Sequence, residues 1–188
     1  MTVAVNIHAH NAHEFVVKKH HATHLHYDFR LEWNGVLLSW ALAVGPSYCV
    51  GEEREAIEMP DHRKEYRSFE GVHPTGPTML WDRGMWVPDQ TCADILSSLR
   101  AGVLRLRLIG EKLEGEWILT RVKKATDTRP AVWMLCKQAD EFAKRYLGRC
   151  VLEEQPDSVL RGRTMNGIVQ DWFSPRDNSL QGQLFGAA

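Results

Sequence analysis

The sequence contains no apolar run near the roughly 20 residues that a membrane-spanning helix requires, and its N-terminus lacks a basic stretch leading into a hydrophobic signal core. These absences lead to the expectation of neither a helical membrane protein nor a secretory leader, and the expected location is the cytoplasm. Cysteine is scarce and scattered: Cys49, Cys92, Cys136 and Cys150 stand singly. Zinc sites and redox motifs use paired short spacings, so the four read as reduced thiols. An excess of charge of either sign is also lacking, since 23 Lys and Arg stand against 24 Asp and Glu, a formal net charge of -1. That excludes a globally basic nucleic-acid binder, and any nucleic-acid contact has to be local. Helical periodicity is weak and confined to about residues 140–147 and 164–172, where Thr164 is placed to cap the second segment.

What remains has the balance of a folded, water-soluble domain: of 188 residues, 44% are hydrophobic and 25% charged. That length buries one sizeable core and is short for two. Residues 1–14 carry few large apolar side chains and are expected to form a flexible leader, residues 15–173 one domain, and residues 174–188 a tail. Over residues 24–33 the chain alternates strictly, with Leu25, Tyr27, Phe29, Leu31 and Trp33 on one face and His24, His26, Asp28, Arg30 and Glu32 on the other. This is the period of a β-strand. Asn34-Gly35 then supplies the two positive-φ positions of a tight hairpin, and a partner strand is expected over 36–43. Gly45-Pro46-Ser47 breaks it, and a polar loop over 51–55 leads to a short apolar return at 56–59. Residues 79–81 and 85–87, around turn-like residues 82–84, read as a second hairpin, and 103–109 and 117–122 as a further antiparallel pair. The expected fold is mainly β: a compact antiparallel β-barrel with a few short peripheral helices.

Nine histidines are present, eight of them before Phe69, so the chemistry is expected in the first half. Side chains two apart on a strand are neighbours on one face. His26 and Asp28 can therefore share one ion, with His20, in the segment leading into the strand, folding back as a third ligand. Two imidazoles and a carboxylate suit a borderline divalent metal such as manganese, with positions left for water and substrate oxygens. Arg30 would sit beside it, and a divalent cation next to a planar guanidinium is the arrangement that phosphoryl chemistry uses. Arg54 is a candidate second cation, His62 a candidate proton donor with a near-neutral pKa, and Tyr66 a hydroxyl donor. Glu32 is assigned a supporting role, orienting Arg30. The competing reading is that this polar face is simply the solvated side of a sheet. His21 and His24 are read as surface residues, and His8, His10 and His13 lie in the leader without the fixed geometry of a built site.

The run FVVKKHHATHLHYDFRLEWNGVLLSW, residues 15–40, resembles the opening signature of the 3'-phosphoesterase domain of the multifunctional bacterial DNA ligase D. The similarity continues through Gly45-Pro46-Ser47, Asp61-His62, Phe69-Glu70-Gly71 and Trp81-Asp82-Arg83-Gly84, and ends with residues 133–137 and 158–164. The resemblance implies a compact β-barrel and manganese-dependent (Mn2+) removal of a 3'-ribonucleoside and then a 3'-phosphate from a primer terminus, leaving a 3'-hydroxyl for polymerase and ligase. It implies His20, His26 and Asp28 as metal ligands, Arg30 and Arg54 as phosphate contacts, and His62 and Tyr66 as transition-state partners. The implied partners are DNA or RNA-tailed DNA 3' ends at primer-template junctions, with a DNA ligase and an end-binding protein acting in trans on a stand-alone module. Two departures stand out. Val44 occupies a position where the family usually has lysine, which leads to the expectation that phosphomonoester cleavage is the weaker step. The family's longer glycine-rich loop is here reduced to residues 71–77. Two readings from other classes are a catalytically silent DNA-end or ligase-binding module and a hydrolase of a small phosphoester. Arg105, Arg107, Lys123, Lys124, Arg161 and Arg163 are candidate duplex-binding cations.

Overall fold

The structure, a computed structural model, describes residues 12–92 and 94–173. Its strands are β1 (His13–His21), β2 (Leu25–Trp33), β3 (Val36–Leu42), β4 (Arg54–Arg63), β5 (Gly71–His73), β6 (Gly76–Pro88), β7 (Val103–Gly110), β8 (Glu114–Lys123) and β9 (Val132–Lys137). The helices are short: α1 (Ile95–Ala101), α2 (Glu141–Arg145), α3 (Val151–Glu154) and α4 (Met165–Phe173). Strands pair in the order β1-β2-β3-β4-β9-β8-β7-β6, and β6 pairs back onto β1, so eight strands close an antiparallel barrel with β5 added at β6. Closure leaves these eight strands no free edge. No helix among the described residues is long and apolar enough to cross a membrane.

The period-2 pattern decides what fills the barrel. From β2, Tyr27, Phe29 and Leu31 point inward and are at most 5% exposed. Leu104, Leu106 and Leu108 of β7 do the same, and Trp81, Trp86, Trp117 and Trp133 complete an aromatic core. Each such side chain stabilises the fold by on the order of 2–3 kcal/mol through burial. The histidine-rich face is therefore not needed to hold the fold. The β2–β3 turn has Asn34 at φ 50° and Gly35 at φ 83°, the two positive values expected of this dipeptide. Thr164 begins α4 as expected, accepting from the Gly167 amide at 3.0 Å.

Several elements differ from the sequence expectation. The region around residues 82–84 is no turn, because β6 runs unbroken for 13 residues. A bulge shifts its register, with Val17 opposite Asp82 but Lys18 opposite Leu80, and so lets both Trp81 and Trp86 face the core. Asp82 looks like a turn residue but is fully buried, accepting from the amides of Arg83 (2.9 Å), Lys112 (2.9 Å) and Leu113 (2.8 Å). Gly84 serves close strand approach: a Cβ there would lie 2.2 Å from the Ile109 carbonyl oxygen. β4 extends to ten residues instead of a short return. β9 escaped notice because its inward-facing set, Trp133, Leu135 and Lys137, ends in a lysine. The Lys137 ammonium is satisfied by the carbonyls of Glu116 (2.9 Å) and Gln138 (3.1 Å) and by Asp140 (2.5 Å). β1 starts at His13, inside the stretch expected as a leader. His8, His10 and the tail after Phe173 lie outside the described residues.

The Asp82 clamp gives a stability test. Asp82→Ala strands three buried amides, with an expected loss of about 3 kcal/mol in denaturant unfolding. Burial pushes the Asp82 carboxyl up to about 7 despite the amides. The folded state then holds a proton that the unfolded state releases near 4, so this contribution is present at low pH and is lost as pH rises to about 7. The stability difference between wild type and variant should shrink across that window; a difference that grows with pH contradicts this assignment.

Candidate metal centre

The β1–β2 register places His20 directly opposite His26, with ring centroids 4.8 Å apart. The segment leading into β2 thus does fold back, as the antiparallel strand β1, and sets the third candidate ligand beside the other two. His26 Nε2 is 3.4 Å from Asp28 Oδ1, and His20 Nδ1 is 4.0 Å from Asp28 Oδ2. Candidate ligand atoms of the three residues all lie within 4.8 Å of one another. His26 Nδ1 lies 3.0 Å from the His24 carbonyl. A carbonyl only accepts, so Nδ1 carries a proton, and Nε2 faces Asp28, donating to it in the charged ring and presenting a lone pair in the neutral one. Two imidazole nitrogens and a carboxylate converging in this way fit a divalent cation.

This outer face is not simply solvated. The segment from Lys64 to Thr75, a 3-10 turn (Lys64–Ser68) followed by β5 and the β5–β6 turn, folds over it and closes a cavity of about 510 Å³. Asp28 and Arg30 are each only 8% exposed. Arg30 Nη2 donates to Asp28 Oδ2 at 2.9 Å, while its Nε is buried with no hydrogen-bond partner among the described residues. Arg30 also lines the cavity, and a guanidinium there is a place for an anionic oxygen.

His62 reaches the cavity because β4 bulges. Ser39 pairs with Met59 but Leu37 with His62, so Pro60 and Asp61 together span one position and return His62 to the Met59 face. Ser39 Oγ gives its proton to the Leu37 carbonyl (2.9 Å) and so accepts from His62 Nδ1 (3.1 Å). That leaves Nε2 as the working nitrogen of His62. Tyr66 lines the same cavity from the 3-10 turn. Sequence reasoning missed six lining residues: Lys18, Met59, Phe69, His73, Thr75 and Thr78. Lys18 shares the outward parity of His20, a signal that was available. It is 2% exposed and donates to the Phe69 carbonyl, tying the roof to the floor.

The electrostatics keep Asp28 and His20 in the forms that can take up a cation and draw His26 toward the imidazolium, whose proton a cation has to displace. Burial works to raise Asp28, but the hydrogen bond from His26 and the charge of Arg30 outweigh it and hold the carboxyl below its ordinary value. Burial lowers His20, favouring the neutral ring. The hydrogen bond to Asp28 raises His26. Burial, then Arg30, lowers His62. Burial, reinforced by Arg30, brings Lys18 down to about 7.

Two assignments do not assemble as expected. Arg54 lines a different cavity, with Ser47, Tyr48 and Tyr146, and pairs with Glu52 at 2.8 Å. It starts β4, eight residues before His62, which is on the order of 25 Å along a strand. Glu32 accepts from the Gly35 amide (3.1 Å) and lies near His13 (3.4 Å) and Lys64 (3.7 Å), so it braces the hairpin instead of Arg30. Val44, 60% exposed, is not among the residues lining the triad's cavity. The candidate duplex-binding cations are partly consumed by internal contacts: Arg107 by Glu116 (3.2 Å) and Arg163 by Asp171 (2.7 Å).

Fold and ligand set together define an antiparallel barrel with a candidate divalent-metal centre on its outer wall. The profile of the DNA Ligase D 3'-phosphoesterase domain matches residues 18–121, and the chain belongs to that family. The multifunctional non-homologous end joining protein LigD of Pseudomonas aeruginosa is 40% identical over 156 residues, covering 80% of this chain and 18% of that protein. The multifunctional non-homologous end joining DNA repair protein LigD of Mycobacterium tuberculosis is 32% identical over 126 residues, covering 61% of this chain and 17% of that protein. The chain thus spans less than a fifth of the length of these relatives.

The geometry separates Asp28 from Arg54 experimentally. With Mn2+ at a hundredfold over its dissociation constant, the wild type should gain about 2.7 kcal/mol of stability. In a thermal-shift titration, Asp28→Asn should abolish the gain and Arg54→Ala should keep it; loss in Arg54→Ala would place that side chain at the ion.

Proposed function

We propose that the chain is a metal-dependent phosphoesterase that processes DNA 3' ends, using Mn2+ to remove a 3'-ribonucleoside and a 3'-phosphate and leave a 3'-hydroxyl. The observation that carries this reading is the buried Arg30, its Nε unpartnered, beside His20, His26 and Asp28 in a chain of the DNA ligase D 3'-phosphoesterase domain family. Those three residues would hold the cation, which would supply Lewis acidity toward a non-bridging phosphate oxygen. Arg30, held by Asp28 through Nη2, offers its guanidinium to a second oxygen. His62, oriented through Nδ1 by Ser39, presents Nε2 to the leaving oxygen, which is the 5' oxygen of the ribonucleoside in the diester step and the DNA 3' oxygen in the monoester step. The anionic phosphate between Arg30 and His62 offsets the lowering of the ring, so that the imidazolium gives its proton as the P–O bond breaks. Water supplies the incoming oxygen, and Tyr66 donates to the phosphate at the mouth. Lys18 adds the charge that Val44 does not bring, and both lysine and arginine then serve one phosphate group.

The substrate class is a DNA or RNA-tailed DNA 3' end at a primer-template junction. A DNA ligase and an end-binding protein are the partners that use the product, and the setting is the cytoplasm.

The test is a gel assay on a labelled primer-template ending in one ribonucleotide or in a 3'-phosphate, with and without Mn2+. Shortening that requires both Mn2+ and His26 is expected, and His62→Ala should slow it on the order of 10²–10⁴-fold without loss of Mn2+ binding. DNA binding without cleavage in the wild type would instead favour a silent end-binding module. Lys18→Met should slow phosphomonoester cleavage more than diester cleavage, because the terminal phosphate carries the greater charge. Equal slowing of both would remove Lys18 from substrate contact.

A further inference from the structure

The β5–β6 connection is a two-residue turn, with His73 paired to Gly76 and Pro74-Thr75 at its tip. Gly76 has φ 133°, and a Cβ there would lie 2.2 Å from the His21 carbonyl oxygen. Only glycine lets the turn press this closely on the end of β1. The approach delivers Thr75 to the outer nitrogen of a candidate metal ligand: Thr75 Oγ1 is 3.2 Å from His20 Nε2 and 2.8 Å from His73 Nδ1.

The protons in this chain can be assigned one by one. The Thr75 backbone amide, which can only donate, points at His73 Nδ1 at 3.3 Å, so that nitrogen is an acceptor. The single Thr75 hydroxyl proton therefore also goes to His73 Nδ1, and the oxygen is left to accept. Its remaining partner is His20 Nε2, which must carry a proton. The lone pair of neutral His20 is then on Nδ1, the nitrogen 4.0 Å from Asp28 Oδ2.

We propose that Thr75, backed by His73, is a positioning residue that fixes His20 in the Nε2–H tautomer and so aims Nδ1 at the metal. The inference rests on reading His20, His26 and Asp28 as a metal centre. His26 is fixed the opposite way by the His24 carbonyl, with Nε2 inward. The two imidazoles would thus offer one ion different nitrogens, each oriented by its own outer partner. Partners of this kind contribute about 10–100-fold in metal affinity. The compact turn, which departs from a long glycine-rich loop, is what puts the hydroxyl in reach.

Thr75 is exposed, so removing its hydroxyl leaves the core untouched. Two readouts on the full chain test the proposal: Mn2+ affinity by calorimetry, and the His20 tautomer in metal-free protein by long-range proton–nitrogen NMR correlation. Thr75→Val should weaken Mn2+ binding about 10–100-fold and turn a pure Nε2–H signature into a tautomer mixture, while Thr75→Ser should preserve both. Wild-type affinity together with an unchanged tautomer in Thr75→Val overturns the proposal. A wild type that binds no Mn2+ overturns the metal reading instead, and the tautomer comparison, made without metal, then decides the role of Thr75 by itself.

Discussion

β1 pairs with β2 along one edge and with β6 along the other, and both the barrel and the site hang on that double pairing. Its inward residues, Phe15 and Val17, belong to the core. Its outward residues, Lys18 and His20, belong to the cavity. Because the strand period is two, a slip of one residue would exchange these sets, burying charge in the barrel and moving His20 away from His26. The packing energy of the core thus holds the ligand geometry in place. The site itself is not asked to stabilise the fold.

That division explains the charges of the site. A buried ion pair such as Arg30–Asp28 is poor value for stability, since desolvation offsets most of the attraction. Its retention beneath a folded-over roof makes sense if the pair meets a further charged group. The roof is fastened on two sides: Lys18 donates to the Phe69 carbonyl, and Glu70 Oε2 accepts from the Leu80 amide (3.1 Å) and the Ser158 hydroxyl. The turn after residue 157 therefore holds the roof through Glu70, although none of its side chains lines the cavity.

Much of this was legible in the sequence because alternation is a local signal. Residues 24–33 disclosed both the inward set and His26, Asp28 and Arg30, and Asn34-Gly35 disclosed the hairpin. The failures share one cause, which is that burial of polar residues is decided by distant partners. Asp82 and Gly84 look like turn formers until the amides of 112 and 113 and the Ile109 carbonyl are in place. Lys137 hid the inward face of β9 because its acceptors come from β8 and from Asp140. Arg54 was grouped with the triad as a second cation and on a resemblance, and strand length then set it apart. His73 and Thr75 were passed over because a turn tip shows no period that links it to His20, a residue 55 positions earlier in the chain.

The most direct test of the account is the position of the ion. Crystals of the protein soaked in Mn2+ should show one strong anomalous peak, bounded by His20, His26 and Asp28 and coordinated through His20 Nδ1 and His26 Nε2. A peak elsewhere, or ordered protein with no peak at the triad at saturating Mn2+, would contradict the claim that this outer barrel face is a metal centre.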